Sequence, residues 1–361
     1  FRRVLFRSYL RCIITQWNGT DLTVSTDRND DEPIVVDWQP ASNEYLRRIF
    51  REGMQLNLLD SEVTDNGGTR TYQPRLIVVE PDYLLDISSI ASCYIDCGHH
   101  PLLYTLKRMK EKALSQAILL GNYAGQALDD LIHHRGGNYD YRDSMRQSFR
   151  EQALEYCACP EFNDAQFAKD AWAQAGNIAE AVDVLFRQHD RQKAILEPSF
   201  VCEHLGLRGR IDLMTTDLRL LVEQKSGKNY YIDRHTNSPK GFKQLENHYV
   251  QLLLYYGVLR YNFNTGMKQT NEYLLYSKFP AQEGLLYMNY YDQLFRDAIQ
   301  YRNQVVATDY HIARQGFAQM LPLFRPETFN VNRLNDSFYH QYIYTEHRAL
   351  TDPLHALTPV E

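Results

Sequence analysis

Residues able to hydrolyse a phosphodiester stand close together at one place in this chain. Residues 205–228 read Leu-Gly-Leu-Arg-Gly-Arg-Ile-Asp212-Leu-Met-Thr-Thr-Asp-Leu-Arg-Leu-Leu-Val-Glu223-Gln-Lys225-Ser-Gly-Lys. Two apolar runs, 210–214 and 218–222, flank the polar Thr215-Thr216-Asp217, and this predicts a β-hairpin. Strand side chains alternate with period two, so an acid on the first strand and Glu-x-Lys on the second can face one side. Asp212, Glu223 and Lys225 then converge. Two hard oxygen ligands suit Mg²⁺ or Mn²⁺, and an ammonium beside them can orient or help deprotonate an attacking water.

Glu-x-Lys by itself is also what a solvated strand end looks like. Three further features stand around it. Gly209-Arg-Ile-Asp212 places a small residue near the acid, and Lys225-Ser-Gly227-Lys228 ends the strand just after the amine. Downstream, Gln251-x-x-x-Tyr255 lies in the apolar run 247–259, where positions i and i+4 of a helix share a face. Together these resemble the motifs of PD-(D/E)xK nucleases of the RecB type, the last being the Gln-x-x-x-Tyr motif of that group.

The elements that must position these groups come from a chain of 361 residues, long enough for two domains or one large one. Apolar residues make up 44% and charged residues 23%, ordinary values for a globular protein. No apolar run approaches the length of a bilayer span, and residues 1–10 lack a secretory hydrophobic region, so an intracellular, cytoplasmic location on DNA is expected. The net charge of −6 argues against a generally basic nucleic-acid binder. Local basic groups exist at Lys107, Arg108, Lys110 and Lys112, at Arg208 and Arg210, and at Lys225, Lys228, Lys240 and Lys243, each also readable as a solvated face. Six cysteines at irregular spacing, 12, 93, 97, 157, 159 and 202, predict reduced thiols. Cys93, Cys97, His99 and His100 with Cys157 and Cys159 match none of the usual zinc spacings.

Strand-like runs at 9–15, 22–25, 33–38, 54–62 and 71–79, with turns at Asn18-Gly19 and Asp65-Asn-Gly-Gly68 and a helix at 42–51, predict a small all-β, OB-like barrel. Such a barrel either binds single strands or only braces its neighbour. Pro101 opens a helix to about 112, and helices follow at 114–134, 141–157 and 164–191. After the hairpin come a helix over 242–261, strands at 272–276 and 285–289, and a covering helix over 291–315. With the RecB-type resemblance, this order implies an α/β (α+β) fold class, a restriction-endonuclease-like core with a large helical part. Expected boundaries are 1–82 for the barrel, 83–325 for the nuclease domain and 326–361 for a helical tail. No repeat, low-complexity tract or Walker A sequence is present, and Lys225-Ser-Gly-Lys228 lacks the glycine and Ser/Thr a phosphate loop needs.

Residues 78–97, Val-Val-Glu-Pro-Asp-Tyr-Leu-Leu-Asp-Ile-Ser-Ser-Ile-Ala-Ser-Cys-Tyr-Ile-Asp-Cys, make a narrower resemblance. With Leu120-Gly-Asn-Tyr-Ala-Gly-Gln-Ala, Glu197-Pro-Ser-Phe, the hairpin and the Gln-x-x-x-Tyr helix in order, the chain is similar to the N-terminal half of the replication nuclease-helicases. Those proteins trim Okazaki-fragment flaps and resect DNA ends. The resemblance implies a metal-dependent deoxyribonuclease acting on single-stranded or flap DNA in replication and repair, with a superfamily-1 helicase beyond Glu361. It implies that Asp212, Glu223 and the Gln224 carbonyl bind Mg²⁺ or Mn²⁺, and that Glu197 joins directly or through water. Lys225 would position the water, and Gln251 and Tyr255 would hold the motif strands or the DNA backbone.

Two departures stand out. The family carries a metal-binding His four residues after Gly121, where this chain has Gly125; His133 and His134 lie eight or more residues on, about 12 Å of rise away. The family's iron–sulfur cluster takes one cysteine before the nuclease and three after it. Cys97 matches the first, but none follows Cys202, so no cluster is expected. The loss at Gly125 supports an alternative, a DNA-binding or structural module with a degenerate site. A sugar or nucleotide enzyme finds no phosphate loop or dinucleotide fingerprint here.

Overall fold

The computed structural model describes residues 9–26, 33–66, 69–95, 98–109, 114–133, 139–233, 238–240, 244–265 and 269–323. The chain is mixed α/β and forms two compact units, Phe1–Met109 with Val201–Gly209 and Asp292–Glu361, and Lys110–Phe200 with Arg210–Tyr291. The tail expected over 326–361 lies outside the described residues, as do Cys97, Lys110, Lys112, His134 and Lys243.

The first unit holds seven strands, β1 (Tyr9–Trp17), β2 (Leu22–Ser25), β3 (Ile34–Val36), β4 (Gln55–Leu59), β5 (Glu62–Asn66), β6 (Thr69–Gln73) and β7 (Leu76–Val79). Their order is β5-β6-β3-β2-β1-β4-β7. Among the described residues β5 and β7 do not pair, so the sheet is open and no closed OB-like barrel is seen. The runs at 54–62 and 71–79 each divide in two, for identifiable reasons. Asp60 turns the chain with a φ of 51° after β4, and Pro74, which has no N–H to give a ladder, separates β6 from β7. Between β3 and β4 the expected helix is a short α-turn, Pro40–Asn43, continued as the 3₁₀ turn Glu44–Arg48, and Leu46, Ile49 and Phe50 still enter the core. Trp17, Trp38 and Phe50 meet edge to face at 5.2–6.0 Å over Ile14, Leu22 and Leu56.

The helix Asp292–Gln315, expected as a covering helix of the nuclease domain, groups with this first unit. Its two fully buried polar residues explain the difference. Asn303 accepts from Val79 N at 3.0 Å and donates to Ile77 O at 2.7 Å. Arg302 caps the carbonyls of Val79, Glu80, Tyr83 and Gly206, so this helix is bonded to the end of β7 and to the loop at Gly206.

In the second unit the helices α1 (Gln116–His133) and α2 (Asp164–Leu185) flank two shorter ones, Tyr141–Glu151 and Ala153–Ala158. A five-stranded sheet follows: β8 (Ala194–Leu196), β9 (Leu213–Thr215), β10 (Leu220–Lys225), β11 (Asn271–Tyr276) and β12 (Leu285–Met288), in that spatial order. The hairpin forms as read, with Leu213 opposite Val222 and Met214 opposite Leu221. The β11 strand pairs parallel to β10, with Glu223 opposite Leu274. Period two sorts the sheet faces. Leu213, Leu220, Val222 and Leu275 share a core with Leu119, Tyr123, Phe167 and Ile178 of α1 and α2. The helix α3 (Glu246–Phe263) is buried at every position from Val250 to Arg260, so it has no solvent stripe over those residues.

Candidate active site

Asp212 does not sit within a continuous strand over 210–214. The strand Leu207–Arg210 stops, Asp212 occupies a bend, and β9 begins at Leu213. Opposite it β8 also breaks, because Glu197 adopts a φ of 48°, a left-handed conformation that costs a non-glycine residue about 1 kcal/mol or more. The two breaks are tied together. Glu197 N donates to Asp212 O at 3.1 Å, and Ile211 N donates to Pro198 O at 3.1 Å. Both acids therefore leave the sheet at one place.

The predicted residues form one bonded chain of groups. Asp212 Oδ2 accepts from Gln224 N at 2.6 Å, which fixes the acid against the strand carrying Glu-x-Lys. Glu223 Oε1 accepts from Lys225 Nζ at 2.8 Å and from Gln251 Nε2 at 2.6 Å, and Gln251 Oε1 accepts from Lys225 Nζ at 2.9 Å. The amide of Gln251 thus spans the acid and the amine. Tyr255 lies one helical turn on; its hydroxyl accepts from Gln251 at 3.4 Å and donates to Arg210 O at 2.7 Å, holding the segment that leads into Asp212. Glu197 Oε2 accepts from Arg210 Nη1 at 2.9 Å. Beyond Lys225 the strand end is braced, since Ser277 N donates to Lys225 O at 2.9 Å and Gln174 Nε2 to Ser226 O at 3.0 Å.

A cavity of about 180 Å³ opens at this point. Asp212, Glu197, Gln224, Lys225 and Ser226 form one wall, and α1 forms the other with Gly121, Ala124, Gly125, Leu128 and Asp129. Glu223 stands behind the wall, 2% exposed, and its Oε2 is buried with no partner among the described residues. Burial first, then the charge of Asp212, pushes its carboxyl up to about 8, against the pull of Lys225. Burial likewise raises Asp212, with Lys225 and the Gln224 amide acting the other way and Glu197 adding to the rise. Asp129 is pushed up to about 6 by burial and then by Glu197. Burial and mutual repulsion therefore make these carboxyls hold their protons more tightly around one opening.

Sequence reasoning missed Asp129, the acid that α1 brings to the cavity. Its signal was present: Gly121, Gly125 and Asp129 recur every four residues and so share a helix face. A Cβ on Gly121 would stand 3.2 Å from Ser226 Oγ, so this helix approaches the strand end closely. A Cβ on Gly125 would meet nothing within 4 Å, which leaves the cavity open at that position. His133 is exposed and turned to its own helix, with Nδ1 2.9 Å from Asp129 O, so it does not fill that place. Among the described residues no three His, Cys, Asp or Glu side chains are gathered closely enough to hold one ion directly.

With this geometry in hand, comparison with known proteins adds little. No protein-family model matches the chain, and no curated protein matches it. Among solved structures it is similar to a crystal structure from Eubacterium rectale described as a "Putative exonuclease". The two are 12% identical with a TM-score of 0.41, over 72% of this chain and 88% of that one. A likeness so loose carries no argument about activity.

Proposed function

We propose that the second unit is a metal-dependent deoxyribonuclease of the PD-(D/E)xK, RecB-like kind, with a restriction-endonuclease-like core, hydrolysing single-stranded or flap DNA in replication or repair. One observation carries this reading: Asp212, Glu223 and Lys225, from the two arms of one hairpin, are linked through Gln224 N and Gln251 beside an open cavity. The donor set fits Mg²⁺ or Mn²⁺. It offers two carboxylates of raised pKa, a strand carbonyl at Gln224, and a buried Glu223 oxygen that no described residue satisfies, a deficit worth roughly 1–3 kcal/mol or more that a hard cation would meet.

When bound, the ion supplies Lewis-acid activation of the scissile phosphate and its attacking water. The protein's own residues do the rest. Lys225 spends two of its three protons on Glu223 and Gln251, which leaves one aimed outward for the water or a phosphate oxygen. Gln251 and Tyr255 hold the two arms in register, and Glu197, kept by Arg210, acts on the site through water. The resemblance further suggests a helicase partner on the same polypeptide and 5′-phosphate products.

Labelled flap and single-stranded DNA with Mn²⁺ tests the reading. Wild type should cut, chelation should stop it, and Glu223→Gln and Lys225→Ala should each lose on the order of a hundredfold or more. Equal cleavage by all three would overturn the assignment. The second reading, a DNA-binding module with a degenerate site, draws on the empty space at Gly125. It predicts strand binding without cutting at any concentration of divalent ion.

A further inference from the structure

Asp129 and Asp130 are neighbours on α1 with opposite surroundings. Asp130 Oδ2 accepts from Ser144 Oγ at 2.5 Å, in the manner of a structural acid. Asp129 is half-buried, lines the cavity, and makes no side-chain hydrogen bond among the described residues. The residues one and two turns before it are glycines, and with Ala124 they keep the helix wall low, so among the described residues the Asp129 carboxylate is the one charged group this wall brings to the cavity. Across from it stand Asp212 and Glu197, with the orphaned oxygen of Glu223 behind. Among the described residues the one lining cation, Lys225, is already engaged by Glu223 and Gln251.

Resting on the nuclease reading, we propose that Asp129 is the acid through which α1 holds the divalent ion, acting across water together with Glu197. The cavity supports action across water rather than by direct contact. Among the described residues no three acids converge on one point, while about 180 Å³ leaves room for several waters between the two walls. The small residues before Asp129 provide that room. Asp129 is in these terms a positioning residue.

The test is Mn²⁺ binding by the full chain, measured by calorimetry, with thermal melting in chelator as a check on folding. Wild type, Asp129→Asn, Asp129→Glu and Asp212→Asn are compared, and cleavage of labelled single-stranded DNA is followed beside them. Asp129→Asn should melt with wild type in chelator and bind Mn²⁺ about tenfold or more weakly, as outer-shell losses do. Asp129→Glu, which keeps the charge on a longer arm, should stay within a few fold of wild type, and Asp212→Asn should lose binding. Wild-type affinity in Asp129→Asn, with binding lost in Asp212→Asn, would overturn the role of Asp129 and leave the nuclease reading standing. Equal loss in Asp129→Asn and Asp129→Glu would mark Asp129 as structural and overturn the inference too. Absence of Mn²⁺ binding and of cleavage in wild type would remove the nuclease reading itself.

Discussion

Two buried glutamates on paired strands differ in what surrounds them. Each leaves its Oε2 without a hydrogen-bond partner among the described residues, but Glu223 gives its other oxygen to Lys225 and Gln251, whereas Glu272 on β11, 3% exposed, has no charged group acting on it. Burial alone pushes the Glu272 carboxyl up to about 8. Below the ordinary carboxylate range both folded and unfolded chains hold this proton. Between about 4.5 and 8 the unfolded chain releases it and the folded chain does not, so this group lowers stability as pH rises through that window. The slope reaches about 1.4 kcal/mol per pH unit for one proton. Glu272→Gln should therefore melt close to wild type at pH 4 and clearly above it at pH 8, as thermal melts at the two values would show. A wild-type profile flat across the window would mean that Glu272 finds a partner in solution.

At the level of elements, the first unit is tied by one helix. Arg302, fully buried on Asp292–Gln315, gives its guanidinium to carbonyls at the end of β7, after it, and at Gly206. Gly206 has a φ of 61°, and a Cβ there would collide with that guanidinium. Replacing Arg302 with Met leaves several buried carbonyls without donors. A loss of about 3 kcal/mol or more is expected, read as a lower urea midpoint at unchanged slope. Gly206→Ala should also destabilise, by strain and collision together, at about 1–3 kcal/mol. The hairpin that carries the candidate site is built differently, from local rules. Thr215 Oγ donates to Asp217 Oδ1 at 2.7 Å and accepts from Leu220 N at 3.1 Å, so the turn closes on its own side chains.

For the whole molecule, the net charge is −6, while the proposed substrate is a polyanion. Much of the local basic charge seen in the sequence is used internally: Arg208 pairs with Asp86, Arg210 with Glu197, and Lys107 donates to Ser92 O. The cavity adds more negative charge. Binding of single-stranded DNA should therefore be weak in chelator and fall steeply with salt, and Ca²⁺, supplied as a non-cleaving ion, should tighten it about tenfold or more. Fluorescence anisotropy on a labelled oligonucleotide checks this; equal affinity in Ca²⁺ and chelator would detach DNA binding from the acidic site. Among the described residues no helix is long and apolar enough to cross a membrane.

What the sequence determined by itself is what short-range geometry governs. Alternation along a strand put Glu223 and Lys225 on one face, the i, i+4 spacing put Gln251 and Tyr255 together, and the polar Thr-Thr-Asp turn closed the hairpin beneath Asp212. Tertiary structure decided the rest. Whether 9–79 closes into a barrel depends on strand pairing far apart in the chain, and Pro74 and Asp60 cut the strands that continuous runs had suggested. Periodicity predicts a covering helix over 291–315, but the buried bonds of Arg302 and Asn303 are made to residues more than 200 positions earlier and to Gly206. The left-handed turn at Glu197 that meets the bend at Asp212, and the arrival of Asp129 opposite both, are likewise long-range outcomes. A helix's periodicity tells which residues share a face; only the packing of that helix against the sheet tells what the face looks at.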